Sequence, residues 1–197
     1  MNFSAVILAG GPSTRMGRDK AWLPCDGQTL LERQAGLART LQPRELFVSG
    51  RADANYSAFG LPVLPDATPG MGPLPGILAA LKSSTAPLVL ALAVDLPFMQ
   101  PEVLEILLAR CDEWTGVVPA VDRRLESLAA FYPTAAASVA SRMLKHGMRS
   151  MRAFVENCRR LKLVRVHHVS QCSWPCFADW NHPASTISPP PPKDRVP

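Results

Sequence analysis

FSAVILAGGPSTRMGRDK, residues 3–20, decides how the rest of the chain is read. Phe3, Ala5, Val6, Ile7 and Leu8 form a short apolar run broken only by Ser4, and it stops at Gly10-Gly11-Pro12. An apolar run of this length, ended by turn residues, reads as a buried strand feeding a turn. The turn carries Gly10, Gly11 and Gly17, the hydroxyls of Ser13 and Thr14, and the cations Arg15, Arg18 and Lys20. Glycines let backbone N–H groups approach a ligand closely, and successive N–H groups can form a concavity for anions. Lysine and arginine add full charges where phosphate oxygens would sit. By chemistry this is a phosphate loop.

Two better-known phosphate loops are excluded. A Walker A loop needs four residues between its glycines and then Lys followed by Ser or Thr. Here Pro12 to Met16 separate Gly11 from Gly17, and Arg18 and Asp19 precede the lysine. The dinucleotide pattern G-x-G-x-x-G is absent from this turn. The bland alternative is a glycine-rich turn with exposed cations. Leu8-Ala9-Gly10-Gly11, Arg15-Met16-Gly17 and Asp19-Lys20 instead resemble the signature of the nucleotidyltransferases related to molybdenum cofactor guanylyltransferase. The resemblance implies a Rossmann-like three-layer α/β domain with a mostly parallel central sheet, binding a nucleoside triphosphate at this loop. Leu8, Ala9, Gly10, Gly11 and Lys20 become nucleotide-binding candidates.

Moving outward, 197 residues suit one α/β domain with a sizeable core. Hydrophobic residues at 47% and charged residues at 19% exclude general disorder, and no apolar run approaches the ~20 residues of a membrane helix. The N-terminus lacks a basic region before its apolar run, so the expectation is no signal peptide and a cytoplasmic location. A net charge of +5 calls for an anionic partner. With 7% aromatic residues and no basic–aromatic alternation, triphosphate and phosphorylated substrates fit that charge better than nucleic acid. The five scattered cysteines read as reduced thiols. His167, His168, Cys172, Cys176 and His182 are dense enough to raise zinc, but Cys172-Ser-Trp-Pro-Cys176 has no matching pair elsewhere.

Taken in order, the pattern predicts a helix over Gln28–Leu41, strands over Glu45–Ser49 and Leu61–Leu64, and a helix over Ile77–Lys82. Pro87–Val94 should be the central strand. Helices are expected over Pro101–Cys111, Pro133–Leu144 and Ser150–Cys158, and strands over Gly116–Ala120, Glu126–Tyr132 and Leu161–Val169. The alternation points to a parallel sheet covered on both faces.

Two further segments carry chemistry. Asp66 precedes Gly72-Pro73-Leu74-Pro75-Gly76 in a stiff loop, and the bland reading makes it a turn cap. In the resembled family an aspartate ahead of Gly-Pro-Leu-x-Gly contacts the nucleotide, which implies that role for Asp66. Asp95 ends the central strand, where open α/β sheets place ligands, and a hard carboxylate there suits Mg²⁺ with substrate phosphates. The family's Asp-x-Pro matches Asp95-Leu96-Pro97 and implies that Asp95 holds the metal and the triphosphate, with Arg15 and Lys20 as its catalytic companions. Near the end, Asp179, Asn181 and Pro183 fall on the family's Asn-x-Asn-Thr-Pro, implying substrate binding by Asp179 and Asn181. Ser127 replaces the proline of a Pro-Leu segment that precedes the family's tyrosine.

Eight basic residues between Arg142 and Arg165 face one acid, Glu156, and read equally as an anion-accepting rim or a solvated face. From Ala184 the chain is polar and proline-rich, so residues 1–183 are expected to form the domain and 184–197 a disordered tail without the family's last helix. The resemblance implies transfer of GMP from Mg-GTP to a molybdopterin-type cofactor, with a cofactor-donating protein or an acceptor molybdoenzyme as further partners. The rivals are cytidylyl or sugar-phosphate nucleotidyl transfer on the same fold, and a non-catalytic nucleotide-binding domain.

Overall fold

The apolar run at Phe3–Leu8 (β1) becomes the inner strand of an eight-stranded sheet in a computed structural model, which describes residues 1–10, 19–50, 55–65 and 71–180. The other strands are β2 (Pro24–Cys25), β3 (Gln28–Thr29), β4 (Leu46–Gly50), β5 (Val63–Pro65), β6 (Leu88–Ala93), β7 (Gly116–Val121), β8 (Arg124–Leu125), β9 (Ala129–Pro133) and β10 (Val164–His168). The helices are α1 (Leu30–Thr40), α2 (Leu74–Ser83), α3 (Pro101–Leu108), α4 (Ala137–Lys145) and α5 (Met151–Arg160). The sheet runs β10-β7-β9-β6-β1-β4-β5, with β8 attached to β7, while β2 and β3 form a separate hairpin.

Alternation along β1 builds the three layers. Phe3, Ala5 and Ile7 face α1 and α3 in one apolar cluster, and Val6 and Leu8 face α2, α4 and α5 in the other. Burial on both faces explains the continuous apolar reading of β1 and of β6, whose residues are all buried. Ser4 interrupts that run with a purpose: fully buried, it donates to Glu45 at 2.7 Å and meets Ser84 at 2.8 Å. The N–H of Thr85 also reaches Glu45, at 2.9 Å. Burial opposes the Glu45 charge, but the hydrogen bonds from Ser4 and Thr85, with the nearby Arg44 charge, hold its carboxyl below its ordinary range.

The mostly parallel sheet and the helix order follow the sequence expectation, and the departures come from turns. Gln28 does not open a helix. Asp26 and Gly27 both have positive φ, 50° and 78°, and reverse the chain in a two-residue hairpin turn between β2 and β3. α1 then starts one residue after Thr29, which forms a reciprocal capping box with Glu32. The second such turn, Asp122 and Arg123 with φ of 49° and 78°, joins β7 to β8. It sends β9 back antiparallel between β7 and β6. Asp122 is a residue such turns favour, but Arg123 stands where glycine is usual, so the reversal carried only half of the ordinary signal. The segment Gln171–Phe177, unassigned from the sequence, is a 3-10 helix. Among the described residues no helix is long and apolar enough to cross a membrane.

Gly116 shows how tightly β9 is inserted. A Cβ there would lie 2.0 Å from the carbonyl oxygen of Phe131, a backbone atom that cannot swing away. Gly116→Ala should therefore cost about 1–3 kcal/mol or more of unfolding free energy, the scale of overpacking. Urea denaturation checks this, and an unchanged midpoint would refute the close approach.

Candidate active site

β1 lies between β4 and β6 and runs parallel to both, so the carboxyl ends of all three strands reach one edge of the sheet. The N–H groups of Ala9 and Gly10 donate to the Ser49 carbonyl at 2.7 and 3.3 Å, and the Leu8 carbonyl accepts from Val94 at 3.1 Å. Leu8, Ala9 and Gly10 are thus fixed by their neighbours. The N–H groups of Ala9 and Gly10 are therefore taken, and the residues from Gly11 to Arg18 lie outside the described residues. Against this edge, α2 packs closely enough that a Cβ on Gly76 would lie 2.3 Å from the Ser49 hydroxyl and 3.2 Å from a Leu8 methyl. Close helix–strand approach explains the last glycine of Gly-Pro-Leu-Pro-Gly, and Gly72 supplies a left-handed φ of 76°.

Lys20 and Asp95, 75 positions apart, meet here. The Lys20 ammonium donates to the Asp95 carboxylate at 2.7 Å, and each side chain is about one quarter exposed. Lys20 stands in a short 3-10 turn, Lys20–Trp22, capped by the Asp19 carboxylate, which accepts from Ala21 N–H at 3.0 Å. The other Asp19 oxygen accepts from the Tyr56 hydroxyl. Tyr56 is fully buried, and its ring leaves no room for a Cβ on Gly50. The end of β4 is thereby tied to the lysine turn. Sequence reasoning gave Tyr56 no role, because nothing local to a lone tyrosine reveals a partner 37 positions away.

The loop after Asp95 is gripped at three successive carbonyls. Asp95 accepts from Trp180 N–H at 2.9 Å, Leu96 from the Gln34 amide at 2.6 Å and Pro97 from the Arg33 guanidinium at 2.6 Å. Gln34 is fully buried, and its Oε1 has no partner among the described residues. Its signal in the sequence was a polar residue at a core-facing position of α1. The Trp180 bond brings Asp179, which is exposed, beside Asp95 in the chain's fold. Arg15, Gly11, Asp66 and Asn181 lie outside the described residues, as does the stretch from Ala184.

The basic stretch separates into pairs and a remainder. Arg159 and Arg160 bond Glu156 at 3.0 and 3.2 Å, and Arg165 bonds Asp112 at 2.7 Å. Hydrogen bonding from Arg159 leads the causes that hold the Glu156 carboxyl low. All five cysteines are free, and burial raises the Cys111 and Cys158 thiols to about 12, making them inert.

A mostly parallel sheet covered by helices on both faces, with a lysine turn paired to an aspartate at its switch-point edge, is the architecture of an α/β nucleotidyltransferase. Residues 5–164 match the model of the MobA-like NTP transferase domain, and the chain belongs to that family. A probable molybdenum cofactor guanylyltransferase of Opitutus terrae is 36% identical over 183 residues, covering 91% of each chain. One from Mycobacterium tuberculosis is 37% identical, covering 82% of this chain and 83% of its own. The crystal structure of molybdopterin-guanine dinucleotide biosynthesis protein A from Archaeoglobus fulgidus superposes with a TM-score of 0.72 at 25% identity, covering 91% and 93%.

Because Gln34 holds the loop of Asp95 through a buried hydrogen bond, Gln34→Leu should strip the Leu96 carbonyl of its donor. The expected loss is about 1–3 kcal/mol of stability, the cost of a buried group left unpaired. Thermal or urea unfolding measures it, and a variant as stable as the parent would show that the bond contributes nothing.

Proposed function

We propose that the chain transfers GMP from GTP to a molybdopterin-type cofactor, releasing pyrophosphate. Membership of the MobA-like family and the names carried by its relatives support the reaction. The observation that carries the site is the Lys20–Asp95 pair at the edge where β1 and β6 end.

The attacking group is a phosphate already ionised at neutral pH, so the reaction needs no Ser–His pair or carboxylate base. Its oxygen bonds to the α-phosphorus of GTP as the bond to pyrophosphate breaks. Alignment and neutralisation of charge are what the protein must supply. Lys20 places an ammonium against the triphosphate, which competes with Asp95 for it. Arg15 and the N–H groups from Gly11 onward add to the cradle, and Asp66 contacts the nucleotide. Asp95 offers a hard oxygen donor, part-exposed at the sheet edge, and such a donor suits Mg²⁺ shared with water and substrate phosphates. When bound, that ion would neutralise charge on the phosphates. Asp179 and Asn181 contribute to the acceptor side. A cofactor-donating protein or an acceptor molybdoenzyme completes the partners, and the setting is the cytoplasm.

The base is read at the β1 end. Since Ala9 and Gly10 spend their N–H groups on Ser49, they meet the base through carbonyl oxygens. Guanine presents ring and amino donors to such acceptors, whereas cytosine presents a single amino donor there. GTP should therefore bind more tightly than CTP at equal Mg²⁺. Tighter CTP binding in parallel titrations would move the assignment to cytidylyl transfer.

Lys20→Ala should lower turnover by ~100-fold or more, the scale of losing one transition-state charge stabiliser. Asp95→Asn should chiefly raise the Mg²⁺ concentration needed for half-maximal rate. Pyrophosphate release from GTP and molybdopterin measures both, and near-normal kinetics in the two variants would remove this mechanism.

A further inference from the structure

Two histidines at the end of β10 take no part in the site built around Lys20 and Asp95. Among the described residues no three His, Cys, Asp or Glu side chains converge to hold a metal ion, so His167 and His168 need another partner than zinc. β10 is the outermost strand of the sheet and runs parallel to β7. Beside its end a cavity of about 310 Å³ opens, with Arg110, His167, His168, Ser170 and Ser173 as its polar walls. That volume stands at the low end of small-molecule sites, roughly 300–1,000 Å³.

The cavity gathers cation-forming groups and no carboxylate among the described residues. Arg110, just past the end of α3, donates to the Ile106 carbonyl at 2.8 Å and pairs with no acid among the described residues. Asp112 is engaged elsewhere, by Arg165 at 2.7 Å and by the Trp114 N–H at 3.0 Å. Glu102 and Glu105 stand off the stripe that Val103, Ile106 and Arg110 present to the cavity. His167 registers the imbalance. Burial, then the charges of Arg110 and His168, hold its imidazole below the ordinary range, and no carboxylate opposes them. Like charges brought together in this way cost free energy that an arriving anion recovers.

Two further features narrow the ligand. Ser170 Oγ lies 3.0 Å from the Cys172 sulfur and 3.1 Å from Ser173 Oγ. With Cys172 donating to Ser170 and Ser170 to Ser173, the Ser173 hydroxyl is left to donate to a ligand. Val103, Ile106 and Val169 add an apolar wall, and Ile106 is 45% exposed. The cavity is separate from the sheet edge that holds Lys20, yet a short segment joins the two. From Ser173 the chain continues through buried Phe177 to Trp180, whose N–H meets the Asp95 carbonyl at 2.9 Å.

We propose that this cavity is a second anion site, taking a small phosphate monoester with an apolar body. Arg110 and His167 hold the phosphate, Ser173 donates to it, and Val103, Ile106 and Val169 cover the body. A guanidinium suits the task because it grips two phosphate oxygens in parallel hydrogen bonds. The proposal is independent of the nucleotide bound at the sheet edge, since none of the cavity's walls belongs to that site.

The probe is phenyl phosphate, with inorganic phosphate and phenol as its two halves. In calorimetric titration near neutral pH, the full chain should bind phenyl phosphate with a Kd of ~1 mM or tighter, the scale of a small fragment. Each half should bind at least about 5-fold more weakly. Saturation should raise the pH at which the His167 imidazole titrates by NMR, because the anion offsets Arg110 and His168. Arg110→Ala/His167→Gln should weaken binding about 10-fold or more, the scale of losing charge-assisted hydrogen bonds. Lys20→Ala should leave it within about twofold, as a separate site requires. No binding of phenyl phosphate up to ~10 mM overturns the proposal. So do equal affinity for inorganic phosphate, unchanged binding by the double variant and an unmoved His167 titration. A loss in Lys20→Ala as large as in the double variant would place the probe at the sheet edge and overturn it too.

Discussion

Everything at the site depends on β1 being paired in parallel on both sides. A strand flanked by β4 and β6 and covered by helices on both faces has no route to solvent except at its ends. Parallel pairing then forces the carboxyl ends of the three strands to one edge. There the loop end of β1, Ser49 of β4 and Asp95 beyond β6 become neighbours, although they are far apart in the chain. The two apolar clusters hold this geometry, since a one-residue slip of β1 would exchange Ile7 and Val6 between layers of different shape.

Strand ends at such an edge carry carbonyls that have left the ladder and need donors. The protein satisfies three in succession after β6, from Trp180, Gln34 and Arg33. Two of those donors belong to α1, the helix that directly follows the lysine turn and the β2–β3 hairpin. The same short segment thus supplies Lys20 to the Asp95 carboxylate and grips the backbone behind it. Asp19 and Tyr56 extend the linkage to β4. Lysine and aspartate are therefore held from the backbone side, a requirement for stabilising charge without reorganisation during the reaction.

The antiparallel strand β9 divides the edge into halves. Without the reversal at Asp122-Arg123, the chain would have no hairpin beside β6, and the arginines of that turn would not share a cavity with Arg152. The loop end of β1 and the hairpin are then separated by β6 and β9. The same reversal demands a bare Gly116 beneath Phe131, so the sheet's tightest contact and the site's layout have one origin.

What the sequence determined by itself was local or long-patterned. The apolar runs of β1 and β6 and the position of Asp95 just past a strand end could both be read, because strand burial and turn residues are written in neighbouring positions. Family resemblance added the reaction. The Lys20–Asp95 contact, the Tyr56–Asp19 bond and the grip of Gln34 and Arg33 were decided only by tertiary structure. Each joins residues dozens of positions apart, and a polar side chain on a helix does not announce which carbonyl it will meet. The same holds for the basic stretch: as a string, its residues were equivalent. Folding paired Arg159, Arg160 and Arg165 with acids and set Arg152 on the wall of the same cavity as Arg123, because only tertiary placement decides which charges have a neighbour.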